Sequence, residues 1–190
     1  LSLHDALPIL NDEFQYIQHY NPIEHVKSRI KTPESIVKKL KRHGYESSIE
    51  NMVRYVNDIA GIRISCSFTS DIYLIADMIS KQNDLTILAR RDYMKNPKKS
   101  GYRSYHMLVT TPVFLSDSII DTKVEIQIRT VAQDFWATLE HKMHYKFEGD
   151  GPDYITKELR ECARYVAELD TRMEELNNEI QKYGKLSDKK

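Results

Sequence analysis

The sequence predicts an α+β domain: a mixed, mostly antiparallel β-sheet flanked by helices and followed by one long C-terminal helix. Three observations carry that prediction. Segments 61–68, 101–110 and 123–129 alternate in side-chain character with the period of a half-buried strand. Helix start and stop residues fall between such segments. Near the C-terminus, apolar residues recur every three and four positions, the pattern of a helix with one apolar seam. At 190 residues the chain has enough length for one domain with a substantial core.

The elements follow in order. Residues 1–9 have no initiator methionine and no clear period, so they read as a non-native leader, with 10–190 as the domain. Leu10, Phe14 and Ile17 are read as the last turns of a helix. Thr32 caps the next helix with Pro33 at its first position, and Gly44 ends it. A short helix covers 48–56. The first strand, 61–68, sets Ile62, Ile64, Cys66 and Phe68 against Arg63, Ser65 and Ser67. Ser70 or Asp71 starts a helix through Lys81, and a second strand covers 85–92. Met94 to Ser100 is a loop, rich in lysine and broken by Pro97. The third strand has Ser104, His106 and Leu108 on one face and Tyr105, Met107 and Val109 on the other. A hairpin-like excursion at 114–121 leads to the fourth strand, in which Val124, Ile126 and Ile128 oppose Glu125, Gln127 and Arg129. Thr130 and Gln133 form a capping-box pair for a helix over 131–147. Residues 149–152 break the chain, and Asp153 caps a last helix to Tyr183, before Gly184. Its seam of Ile155, Leu159, Cys162, Val166, Leu169, Met173, Leu176 and Ile180 is an unbroken heptad. Thirty residues of helix make a rod of about 45 Å, long for one small domain to cover. It either packs on the chain's own helices or forms a subunit interface.

The chemistry concentrates on the polar strand faces. If the strands share a sheet, one face gathers Arg63, His106, Glu125, Gln127 and Arg129. Asp58 precedes the first strand. Two acids among several arginines suit a divalent cation bound together with polyphosphate. Glu125 and Arg129 alone also fit an ordinary solvent-facing pair. Formal net charge is zero, so the chain is not a general polyanion binder. Its cations cluster locally: Lys27, Arg29, Lys31, Lys38, Lys39, Lys41 and Arg42 in one group; Arg90, Arg91, Lys95, Lys98, Lys99 and Arg103 in another. Local patches on a neutral chain point to a compact anion, although each also fits a solvated face. No apolar run is long enough to span a membrane and no signal peptide is visible, so a cytoplasmic protein without membrane contact is expected. Cys66 and Cys162 both fall on apolar faces and read as buried free thiols.

Four motifs carry a family resemblance: DIAGIR at 58–63, SGYRSYH at 100–106, VEIQIRT at 124–130 and FWATLEH at 135–141. In this order they resemble the synthetase domain of the RelA/SpoT family, nearest to its stand-alone small alarmone synthetases. The resemblance implies a nucleotidyltransferase-like synthetase fold and an enzyme that moves the β,γ-pyrophosphate of ATP to the 3′-hydroxyl of GDP or GTP, making ppGpp or pppGpp. It implies that Asp58 and Glu125 bind Mg²⁺, with Glu125 also a candidate base. Arg29 and Arg63 match the arginines that sandwich adenine, and Lys31 and Lys38 add charge near the ATP phosphates. Tyr102 matches the tyrosine stacked on guanine, and Arg91, Lys98, His106, Gln127 and Asp134 match acceptor-side positions. The resemblance further implies a homotetramer built through the helix at 154–183, and single-stranded RNA as a possible partner. The chain departs from the family at Ser28, where glycine is common, and at Asp134, where asparagine occurs. With no room for the hydrolase domain of larger members, synthesis without breakdown is expected. Two other classes compete: an RNA binder that stacks bases on Tyr102 and Tyr105, and a scaffold built on the heptad helix. Asp58 and Glu125 discriminate, because neither alternative uses two acids in a basic cleft.

Overall fold

A computed structural model describes residues 21–114, 116, 117, 119–146 and 153–187, with side chains placed except at 144–146 and 184–187. The 1–9 leader, the turns at Leu10, Phe14 and Ile17, and the 149–152 break lie outside the described residues.

The sheet has five strands in the order β1-β2-β5-β4-β3: β1 Ile23–Ile30, β2 Ala60–Cys66, β3 Thr86–Asp92, β4 Tyr105–Phe114 and β5 Ile119–Thr130. Only β2 and β5 pair in parallel; the other neighbours are antiparallel. The mixed, mostly antiparallel sheet expected from the sequence is therefore present. Helices α1 Pro33–Arg42, α2 Ile49–Tyr55, α3 Thr69–Ser80, α4 Val131–Lys146 and α5 Asp153–Ser187 complete the fold.

Local chemistry explains most boundaries. The Thr32 hydroxyl accepts from the Ser35 N–H at the start of α1, and Gly44 at φ 77° turns the chain after its end. Ser48 caps α2 through the Asn51 N–H at 3.2 Å. Inward residues of the strands, including Ile64, Met107, Val109, Ile126 and Ile128, pack with Ile72 and Ile75 of α3 into the main core. Each such side chain contributes about 1.5–3 kcal/mol on burial.

Several boundaries differ from expectation. Strand β1 was not anticipated, because a bulge between Ile23 and His25 shifts its register. That irregularity puts Ile23 and Val26 on the core side three residues apart, which erases the period of two. β5 begins at Ile119, so the excursion is the turn of a β4–β5 hairpin. Helix α5 continues past Gly184 to Ser187, 35 residues or about 52 Å.

The capping box at Thr130 is half formed. Its hydroxyl accepts from the Gln133 N–H at 3.1 Å, but the Gln133 side chain turns away and donates to Asp170 of α5 at 2.9 Å. The Thr130 hydroxyl also donates to Asp170, at 2.8 Å. All three residues are buried. Asp170 thus fastens α5 to the junction of β5 and α4.

The packing face of α5 is one residue out of phase with the heptad. Ala163 and Asp170 are buried, whereas Leu169, Met173, Leu176 and Ile180 are 46–66% exposed. Cys162 is exposed, contrary to the buried thiol expected, because it lies beside the packing face and not on it. Cys66 is buried as expected; its thiol donates to the Arg129 carbonyl at 3.1 Å, and burial pushes its pKa up.

Burial also pushes the Asp170 carboxyl above its ordinary value. A raised folded-state pKa means that its stabilising contribution is present below the unfolded value and is lost as pH rises through the folded one. Both hydrogen bonds converge on Oδ2, so asparagine can supply the same acceptor without titrating. The melting temperature of Asp170→Asn relative to wild type is therefore expected to rise between about pH 4 and about pH 7. A flat difference across that range would remove the burial argument.

Candidate active site

Sheet register assembles the site. Lys27 on β1 lies opposite Arg63 on β2, Arg63 opposite Gln127 on β5, Gln127 opposite His106 on β4, and His106 opposite Arg91 on β3. One rung of polar side chains thus crosses all five strands, about 19 Å at 4.8 Å per strand. On the next rung, Arg29 faces Gly61 and Gly61 faces Glu125. Strand alternation then puts all of these side chains on the face opposite the core, apart from glycine.

Two clefts open on this face. The first, about 280 Å³, is lined by Lys27, Ser28, Arg29, Asp58, Gly61, Ile62, Arg63, Glu125 and Gln127. The second, about 60 Å³, is lined by Arg91, His106 and Glu125 among others. Glu125 belongs to both. Asp58 sits at the mouth of β2 and is gripped by Lys31 and by Lys39, the latter at 2.8 Å. Burial pushes its carboxyl up, but the two ammoniums outweigh that and hold it below the ordinary range. Glu125 is likewise held low: the His106 hydrogen bond outweighs burial, and Gln127 adds to it. Both groups are carboxylates at neutral pH.

A closed ring of hydrogen bonds underlies the clefts. His106 Nδ1 meets Glu125 Oε1 at 3.3 Å, and Tyr102 OH meets His106 Nε2 at 2.9 Å. Arg129 Nη2 donates to Tyr102 OH at 2.7 Å and to Gln127 Oε1 at 2.8 Å, and Gln127 Nε2 donates to Glu125 Oε2 at 2.9 Å. Since a carboxylate only accepts, the network assigns the His106 proton to Nδ1; the phenol then donates to Nε2. Arg129 Nη1 also donates to Asp134 at 3.2 Å, and Asp134 pairs with Arg63 at 3.4 Å. Lys98 Nζ lies 4.7 Å from the Tyr102 ring centre.

The structure brings most of the anticipated residues together. Arg29, Asp58, Arg63, Glu125 and Gln127 share the first cleft; Arg91 and His106 flank the second, with Tyr102 and Lys98 adjoining His106. Lys31 and Lys39 both reach Asp58, whereas Lys38 is exposed. Helical phase carried the signal. Lys39 lies about 60° from Ile36 around α1, whereas Lys38 lies about 160° away; Ile36 and Leu40 are the buried stripe. Asp134, expected on the acceptor side, is engaged by two arginines. Lys27 was seen as a charge but not as a site residue, and Arg129 was placed on the polar face without a role. Tyr105 packs against the core with Tyr73 at 5.8 Å, so it does not join Tyr102 in a stacking platform for RNA.

Two carboxylates at neighbouring strands, cations around them and a second cleft across a shared acid define a phosphate-handling α+β protein. Comparison with known proteins gives the particular lineage. Residues 28–150 match the family described as "Region found in RelA / SpoT proteins". The chain is 45% identical to GTP pyrophosphokinase YwaC of Bacillus subtilis over 94% of its own length and 85% of that protein. It is 38% identical to GTP pyrophosphokinase YjbM of the same species, over 88% and 78%. Small alarmone synthetase 1 of Bacillus subtilis bound to pppGpp superposes with a TM-score of 0.86 at 36% identity, covering 93% of this chain and 89% of that one. Small alarmone synthetase 2 of the same species gives 0.84 at 43% identity, over 94% and 91%. The chain belongs to the RelA/SpoT family.

Proposed function

We propose that this chain is a GTP/GDP pyrophosphokinase. The observation that carries this reading is Glu125, one carboxylate shared by the cleft of Arg29 and Arg63 and by the cleft of Arg91 and His106. A group on that boundary can act on two nucleotides at once. The 3′-oxygen of GDP or GTP bonds to the β-phosphorus of ATP, the bond from that phosphorus to the α,β-bridging oxygen breaks, and AMP leaves with the bridging oxygen. The hydroxyl proton passes to Glu125 or to water.

Asp58 and Glu125 fit Mg²⁺. Both are hard oxygen donors held ionised, and no group of three or more potential metal-ligating side chains exists among the described residues. Magnesium commonly takes one or two carboxylates and completes its shell with phosphate oxygens and water. When bound, the ion would neutralise the charge of the transferring phosphates. The lowered basicity of Glu125 favours ligation over service as a base. Arg29 and Arg63 line the cleft as planar cations suited to the adenine ring. Lys31 and Lys39 are within reach of the phosphates that Asp58 would share. Tyr102 offers its ring to guanine, with Arg91, Lys98, His106 and Gln127 toward the acceptor's phosphates and ribose. The reading needs nucleotide pools of the cytoplasm, and no helix among the described residues is long and apolar enough to cross a membrane.

The exposed seam of Leu169, Met173, Leu176 and Ile180 supports assembly through α5, which we read as a homotetramer.

Incubation with γ-labelled ATP, Mg²⁺ and either GDP or GTP tests the reading. Label is expected on guanosine tetra- or pentaphosphate, and only with the metal present. A folded, assembled sample that transfers no label to either acceptor defeats it.

A further inference from the structure

We propose that Arg129 is a positioning residue that couples the two nucleotide half-sites, so that filling one tightens the other. This rests on the pyrophosphokinase reading and goes beyond it by assigning a role to a side chain that touches neither substrate.

Arg129 is 3% exposed, too enclosed to meet a nucleotide. Its guanidinium nevertheless holds residues that lead to both clefts. Nη1 holds Asp134, which also holds Arg63 on the adenine side. Nη2 holds the Tyr102 hydroxyl on the guanine side, while the guanidinium carbon lies 4.9 Å from the centre of that ring. The same Nη2 holds Gln127, which holds Glu125. Two guanidiniums share the Asp134 carboxylate, and the Nε atoms of both are buried without a hydrogen-bond partner among the described residues. Asp134 is therefore the acid that links the two arginines, while Tyr102 and Gln127 also hold Arg129. Burial and then the charge of Arg129 lower the Arg63 pKa, as close cations should.

Stacking of adenine on Arg63 fixes the plane of that guanidinium. Asp134 follows, then Arg129, and its Nη2 is left aimed at Tyr102. The second nucleotide then meets a tyrosine already oriented, and the ordering cost is not incurred twice. Coupling of this kind is reciprocal. Lysine cannot substitute, because a single ammonium cannot span Asp134, Tyr102 and Gln127 in one plane.

The test is calorimetric titration of GDP into the Mg²⁺-supplied protein, alone and saturated with the α,β-methylene analogue of ATP, which cannot transfer. In the wild type GDP should bind about fivefold tighter or more with the analogue present, the low end of ordinary coupling. Arg129→Lys should bring that ratio to about one while still binding the analogue. Tyr102→Phe removes one hydroxyl from the network, keeps the ring, and should also lower the ratio; it decides the matter if Arg129→Lys does not fold. A wild-type ratio near one with both ligands bound overturns the coupling alone. So does a wild-type ratio retained in the folded variants. If neither nucleotide binds the wild type, the pyrophosphokinase reading falls, and this inference with it.

Discussion

Glu125→Gln is expected to slow pyrophosphate transfer on the order of a thousandfold, the scale of losing one preorganised charged group from a phosphoryl-transfer site. The fold should survive. Glu125 accepts from His106 Nδ1 on one oxygen and from Gln127 Nε2 on the other. A glutamine oxygen can keep one of these bonds, while its amide confronts the second donor. Turning Gln127 over does not help, since its own oxygen is already held by Arg129. The variant therefore loses about one hydrogen bond, roughly 1–2 kcal/mol, or a few degrees of melting temperature in a domain of this size. Excess Mg²⁺ should not restore the rate. Full activity in a folded Glu125→Gln protein would remove Glu125 from the proposed metal site.

Gly101→Ala should be the most disruptive glycine-to-alanine change among the described glycines. Gly101 has φ 91°, a conformation that alanine adopts only with strain. A Cβ built there would lie 2.5 Å from the Cβ of Ala163 on α5. Strain and overpacking each cost about 1–3 kcal/mol, together on the order of 10 °C in melting temperature. The effect should also reach the acceptor side. Gly101 N–H donates to the Lys98 carbonyl at 2.8 Å, and Lys98 N–H to the Tyr102 carbonyl at 3.1 Å, so the substitution deforms the turn between the two residues assigned to guanine and phosphate. KM for GDP should rise more than KM for ATP. Adding Ala163→Gly should return the contact part of the loss but not the backbone part. Gly44→Ala is the control: its φ of 77° meets open space, so it should lose only the backbone part. Equal melting temperatures for the two alanine variants would show that the Ala163 contact does not matter.

The sequence was most legible where geometry is strictly periodic. β2, β4 and β5 were readable because their inward residues run unbroken at a spacing of two, and the motifs placed Arg63, His106, Glu125 and Gln127 on them. β1 was not, because its bulge breaks that spacing at an edge with little burial. The heptad of α5 was visible, but the helix packs inward through Ala163 and Asp170, a small residue and an acid that no apolar pattern selects. The site showed the same division. Charges were legible as a set, and their partners were not. That Lys39 pairs with Asp58 depends on helix phase. The ring through His106, Tyr102, Arg129 and Gln127 depends on the register of the β4–β5 hairpin, which periodicity does not specify.

The strand order also bears on when the enzyme comes into being. β1 and β2 pair with each other and carry the arginines assigned to ATP; β3 and β4 pair with each other and carry the acceptor residues. These halves do not pair directly. β5 lies between them, and it is the last strand in the chain. A polypeptide emerging from the ribosome completes both halves just before it completes the strand that joins them and brings Glu125. Its pairing with β4 is a local hairpin, whereas its pairing with β2 closes contacts of long sequence separation, a late event in folding. No truncated or nascent form ending before β5 can release the product, so the signal comes only from chains that have finished building their sheet.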